Sequence, residues 1–169
     1  PRVLDRVADR PVMIAGAWTM VASLAALAAL VATEGLSWLP LLAAWLVVGI
    51  GYSTVQTPSG RLLRRSAHPE DRPALFAAQF ALSHACWLLS YPLSGWLQTG
   101  FGTVPALLVL ALLAVAGIVA ALRMWPADDP VEVAHSHDHL PVDHPHLAGG
   151  HRHSHAFVID DLHRVWPAR

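Results

Sequence analysis

The chain has 169 residues, of which 54% are hydrophobic and only 14% charged, and its formal net charge is −1. Soluble domains carry about 25% charged residues, and here the deficit lies in the first 125 residues. No Asp, Glu, Lys or Arg stands between Glu34 and Arg61, or between Arg72 and Arg123. This excludes an ordinary soluble helix bundle, whose helices each need a polar face. One cysteine, Cys86, excludes a disulfide framework within the chain and a thiolate metal cluster. Every basic residue other than histidine is arginine, a compositional habit without functional weight.

In chain order, the apolar runs predict membrane spans at about 12–32, 38–57, 74–97 and 104–125, each near the roughly 20 residues that cross the hydrocarbon core. The first run is too long for a signal-peptide core of about 7–15 residues, and three more follow it. Because the chain starts at Pro1, we expect a fragment or a processed product. Short turns, Thr33–Ser37 and Gln98–Gly102, join the outer pairs of spans. The longer segment Pro58–Pro73 joins the middle pair, with Pro58 expected to stop the second helix and Ser59–Arg65 expected to lie on the membrane surface. Pro69, Glu70 and Asp71 suit the start of the third helix.

Arg2, Arg6, Arg10, Arg61, Arg64, Arg65, Arg72 and Arg123 all fall on one side of this layout, and neither short turn holds an arginine. The positive-inside rule makes that side the cytoplasm, so both ends of the chain are expected there. Trp38, Trp96 and Trp125 fall at span ends, where interfacial aromatics belong. Ala-rich stretches in the first span, with Gly49 and Gly51 in the second, would let backbones approach closely.

Two loops carry a resemblance. Asp5-Arg6-Val7-Ala8-Asp9-Arg10 resembles the D-R-x-x-x-R cytoplasmic loop motif of major facilitator superfamily transporters. Pro69-Glu70-Asp71-Arg72-Pro73-Ala74 is similar to the P-x-x-x-R-G-x-A loop of that family, with Pro73 where Gly is usual. The resemblance implies an all-α polytopic fold in which these four spans are helices nine to twelve of twelve, completed by N-terminal helices not in this sequence. It implies alternating access around a midplane site, cytoplasmic gating by Asp5, Arg6, Arg10 and Arg72, and second and third spans that approach the cavity. A bacterial inner membrane is the expected location.

Within the third span Gln79, Ser83, Cys86 and Ser90 form one polar stripe, with His84 and Tyr91 on its flank. Polar groups in hydrocarbon mark either a path or interhelical hydrogen bonds. Gln79, Ser83 and His84 are the candidate transport path, and His84 is the span residue whose side-chain type suits proton transfer.

After Trp125 the sequence turns polar and Pro-rich, and holds nine of the eleven histidines. His135, His137 and His139 form one cluster, His144 and His146 a second, His151, His153 and His155 a third; His163 follows Asp160 and Asp161. Pro141, Pro145 and the Gly149-Gly150 pair forbid a continuous helix, so a largely irregular tail over 126–169 is expected, with alternate histidines sharing a face only where the chain is extended. Neutral imidazole suits nickel, cobalt, zinc and copper, and linked clusters meet at high effective concentration. The eight histidines of the three clusters are the candidate metal ligands, with Asp138, Asp143, Asp160 and Asp161 as optional oxygen donors. Phe157 and Trp166 are expected anchors.

The tail resembles the His-rich cytosolic tails of nickel- and cobalt-resistance efflux carriers of the same superfamily. Three functions follow as expectations: proton-driven efflux of a divalent transition metal with the tail as collector or sensor; a carrier of an organic solute with a regulatory tail; and a membrane-anchored metal-binding protein without transport. No hydrolytic or redox motif is present, so neither an enzyme nor a required cofactor is expected. The expected partners are the lipid bilayer and a small ion or solute, with no nucleic acid.

Overall fold

In a computed structural model the described residues are 7–125, 127–128, 130, 132–138, 140–147 and 150–164. Four helices form first: α1 (Asp9–Glu34), α2 (Trp38–Arg65), α3 (Arg72–Phe101) and α4 (Thr103–Met124). Each is long and apolar enough to cross a membrane. Beyond them come strand β1 (Glu132–Ser136), a 3-10 turn at Pro145–Leu147 and strand β2 (Arg152–Ala156).

The turns show how little chain a reversal needs. Gly35 ends α1 at φ +80°, its N–H donating to the Val31 carbonyl at 3.1 Å. Gly102 alone separates α3 from α4 at φ +87°, its N–H donating to Gln98. Only glycine takes such angles without a Cβ penalty. The turn expected over Gln98–Gly102 therefore shrinks to one residue, and α3 runs on to Phe101.

Pro58 does not end α2, contrary to expectation. The helix continues through it to Arg65, and Pro58 is the largest fully buried side chain. A proline removes one backbone donor. Membrane helices tolerate that loss where side-chain hydroxyls and packing serve the freed carbonyls. Here the packing is the visible part, since the nearby hydroxyls serve other carbonyls than that of Thr54: Thr57 donates to Ser53 O at 2.7 Å and Ser59 to Gln56 O at 2.6 Å. Ser59–Arg65 is thus the last part of α2 rather than a separate surface segment.

Packing is uneven. α1 lies against both α2 and α4, and α4 also meets α3, while α2 and α3 barely touch. At the α1–α2 crossing Gly16 faces Gly51, where a Cβ on Gly16 would stand 2.8 Å from the Gly51 carbonyl oxygen. Ser23 adds an interhelical hydrogen bond to the Ala44 carbonyl at 3.1 Å. Gly49, which the sequence puts on the same footing as Gly51, has open space around it. α3 exposes Phe80, Leu82, Leu88, Leu89, Tyr91 and Trp96, an apolar surface that belongs in lipid or against further helices.

The helices run up and down, so the ends bearing Arg10, Arg61, Arg64, Arg65, Arg72 and Arg123 gather together. Asp9, buried at the start of α1, forms an ion pair with Arg61 near the end of α2, with Arg61 Nε 3.0 Å from Asp9 Oδ1. Arg10 Nε donates to the Trp125 carbonyl at 3.2 Å, closing α1 against the end of α4. The tail sits at this same end.

Candidate metal centre

β1 and β2 pair antiparallel, with His135 opposite His153 and Val133 opposite His155. Facing residues on paired strands share a side of the ribbon, so the alternation His135–His137 and His153–His155 delivers imidazoles to one face. The His137 N–H donates to the His151 carbonyl at 3.0 Å and extends the ladder beyond the strands. The 3-10 turn then folds His146 over that face, and the segment after β2 folds back to bring His163. Phe157 is buried and stands edge-on to His135 and His163 at 5.2 and 4.9 Å between ring centres.

The result is a convergence of six rings. Nε2 atoms lie 3.1 Å apart for His137 and His163, 3.1 Å for His163 and His135, and 3.2 Å for His146 and His137. His146 Nε2 is also 3.2 Å from that of His153 and 3.3 Å from that of His155. Two ligand groups emerge, His135-His146-His153-His155 and His135-His137-His146-His163, each with its donor atoms within 4.8 Å of one another. A tetrahedral ion with metal–nitrogen bonds of about 2.0–2.1 Å sets its ligand nitrogens about 3.3–3.4 Å apart, close to these spacings.

The opposite nitrogens fix the tautomers. His135 Nδ1 donates to the Val133 carbonyl at 2.9 Å, His153 Nδ1 to Gly150 at 3.3 Å, and His155 Nδ1 to Ala156 at 2.8 Å. His163 Nδ1 donates to Asp160 Oδ1 at 2.8 Å. A neutral imidazole has one N–H, so in all four rings Nε2 carries a lone pair into the cluster. His135 and His163 therefore meet lone pair to lone pair, which is repulsive until a cation enters. Protons are poorly suited to that role. Burial first, and then the neighbouring rings His163, His146, His135 and His153, push His137 down to about 4. Burial likewise lowers His135, against the bond to Val133, and lowers His146 together with its neighbouring rings. The arrangement fits a divalent metal with imidazole ligands.

Of the candidate ligands from sequence, His135, His137, His146, His153 and His155 come together here. His144 and His151 stand outside both groups: His144 Nδ1 accepts the His146 N–H at 3.2 Å and His151 Nδ1 donates to the His137 carbonyl at 2.9 Å. His139 and Trp166 lie outside the described residues. Sequence reasoning missed His163 as a ligand; the Asp160-x-x-His163 spacing was the available sign, because a carboxylate behind an imidazole is the usual companion of a ligating ring. Asp160 accepts from that ring and from the Leu162 and His163 N–H groups at 2.9 and 2.8 Å. Burial would raise its pKa, but the His163 N–H, His68 and the remaining donors hold it at about 2.

The other candidate residues are placed less suggestively. His84 Nδ1 donates to Phe80 O at 2.8 Å and the exposed ring stacks in a row with Phe80, Trp87 and Tyr91 along α3. Ser83 bonds back to Phe80 O, and Gln79 is half-buried. Among the gating residues, Arg10 joins Trp125 as above, Arg72 has its Nε buried without a partner among the described residues, and Asp5 and Arg6 lie outside them. The ion pair at that end uses Asp9 and Arg61, which the motif comparison had not singled out.

The helices define an all-α polytopic protein with a histidine-rich appendage at its arginine-bearing end. A family model, the Major Facilitator Superfamily, matches residues 2–157, and the chain belongs to that superfamily of membrane transporters. No curated protein and no solved structure matches it.

Proposed function

We propose that this chain is the C-terminal part of a proton-driven exporter of divalent transition metal, nickel or cobalt foremost and zinc by the same chemistry, and that its tail collects the ion in the bacterial cytoplasm. The observation that carries the reading is the pair of facing Nε2 lone pairs on His135 and His163, 3.1 Å apart in a cluster whose burial opposes protonation. The tail emerges where the arginines gather, which the positive-inside rule assigns to the cytoplasm, so it meets the ion before export. The ligands are all nitrogen with no thiolate, a set that binds and releases rather than locks its ion. The exposed apolar surface of α3 is the surface that the N-terminal helices of the same carrier would cover. His84 is the residue we assign to proton coupling.

Deleting the gene is expected to sensitise cells to nickel or cobalt, and a carrier truncated after Trp125 to protect them less than the intact one. Unchanged metal tolerance after deletion would instead point to an organic-solute carrier whose tail only regulates. In the intact carrier, His84→Ala is expected to flatten the pH dependence of metal efflux.

A further inference from the structure

The histidine cluster is not isolated from the membrane domain. His68 lies in the short loop Ser66–Asp71 between α2 and α3, and its Nε2 is 3.3 Å from Asp160 Oδ2. The other oxygen of the same carboxylate accepts from His163 Nδ1 at 2.8 Å. One carboxylate therefore stands between a loop of the helical domain and a ring whose Nε2 points at His137 and His135. His68, Asp160 and His163 also wall one cavity of about 260 Å³ with His146 and His155.

We propose that Asp160 is a latch by which a metal ion on the inner group, His135-His137-His146-His163, holds the tail against the α2–α3 loop. The inference rests on the metal-binding reading above. When an ion takes His163 Nε2, the ring must keep its proton on Nδ1, and its bond to Asp160 becomes obligatory. Asp160 is then fixed in place, with its second oxygen presented to His68. Without the ion the Leu162 and His163 N–H groups still hold Asp160 Oδ1, but the ring is free to leave the carboxylate by taking another tautomer or rotamer, so the ion strengthens an anchor already in place. The outer group, His135-His146-His153-His155, contains neither His163 nor any ring bonded to Asp160, so an ion held there does not reinforce the latch. His135 and His146 belong to both groups, and each Nε2 has a single lone pair, so the two stations exclude one another. The ion's position thus biases the tail toward or away from the docked state. Asp160 and His68 are positioning residues, not ligands.

Coupling between two events is reciprocal. If the ion favours docking, docking favours the ion by the same factor, and breaking the latch on the loop side must weaken binding of a metal that the loop never touches.

The test is Ni²⁺ titration of the full chain in lipid nanodiscs, read by calorimetry and by hydrogen exchange resolved over two regions. In the wild type Ni²⁺ is expected to slow exchange both in the hairpin, 132–156, and in the loop, 66–71. His68→Ala is expected to keep hairpin protection, lose loop protection, and weaken Ni²⁺ by about fivefold or more. His68 is exposed and outside the helices, so the variant keeps the fold. Asp160→Asn is expected to lose loop protection and to weaken Ni²⁺ by about 10–100-fold, as removal of a carboxylate behind a ligand does. Hairpin protection without loop protection in the wild type overturns the latch and spares the metal site. So does a His68→Ala chain that binds Ni²⁺ as tightly as the wild type. If neither region responds to Ni²⁺, both the metal-binding reading and the latch fall.

Discussion

His137 illustrates how a single side chain acquires a chemistry that its identity does not specify. Free imidazole titrates near 6.5; in the hairpin this ring is 3% exposed, beside four others, and titrates at about 4. The unfolded hairpin therefore binds more protons than the folded one between pH 6.5 and 4, so metal-free stability rises with pH through that window. The contribution of His137 is present above pH 6.5 and is lost as pH falls toward 4, a change on the order of 3 kcal/mol. Asp160, lowered from 3.8 to about 2, adds a second loss in stronger acid. Amide exchange of residues 132–136 and 152–156 in the metal-free chain, corrected for intrinsic rates, is expected to accelerate when the pH drops from 7.5 to 5. Equal protection at the two values would contradict the burial of the cluster. That His137 belonged to a histidine cluster was legible from its neighbours His135 and His139. That it sits deepest was not, because depth comes from His146 and His163, which lie nine and 26 residues away along the chain.

Among the elements, the α1–α2 pair shows the difference between composition and contact. Small residues recur along both helices, and composition alone cannot tell which of them meet. The crossing is set by Gly16 and Gly51, each of which would place a Cβ under 3 Å from the other's carbonyl. Backbone cannot move aside as a flexible side chain can. Gly16→Val is therefore expected to destabilise the helix pair by about 1–3 kcal/mol, measured by thermal unfolding in detergent. Gly49→Ala, into open space, is expected to be neutral or to stabilise α2 by up to about 1 kcal/mol. If the two substitutions behave alike, the crossing point is elsewhere. Pro58 makes the same point in reverse. Read locally it is a helix breaker, yet α2 continues through it with Pro58 fully buried. In the tail, strands Glu132–Ser136 and Arg152–Ala156 arise because the alternating histidines need an extended backbone to share a face, a condition that the sequence states without saying whether it is met.

At the scale of the whole molecule, under the proposed metal binding, the two ligand groups are one site. Because His135 and His146 serve both, one ion per chain is the expected stoichiometry, although eleven histidines are present. Calorimetry with Ni²⁺ is expected to return a ratio near one. His146→Ala, which damages both groups, is expected to weaken binding at least about tenfold more than His153→Ala, which leaves the inner group whole; that difference corresponds to about 1.4 kcal/mol. Two ions per chain, or equal effects of the two substitutions, would mean that the groups bind separately. The ends of α1, α2 and α4 that carry arginine meet through Asp9–Arg61 and Arg10–Trp125, and the tail joins the loop before α3 through His68 and Asp160.

The amino-acid sequence by itself determined the membrane character, the four spans and the side on which the charges lie. Each of these depends on local composition: a run either can or cannot be dissolved in hydrocarbon, and arginine either is or is not beside it. Only the tertiary structure decided which histidines face one another, that His163 joins them while His144 and His151 do not, and that Asp160 reaches back to His68. Those facts rest on distances between residues up to 92 positions apart in the chain, which no local pattern of residues encodes.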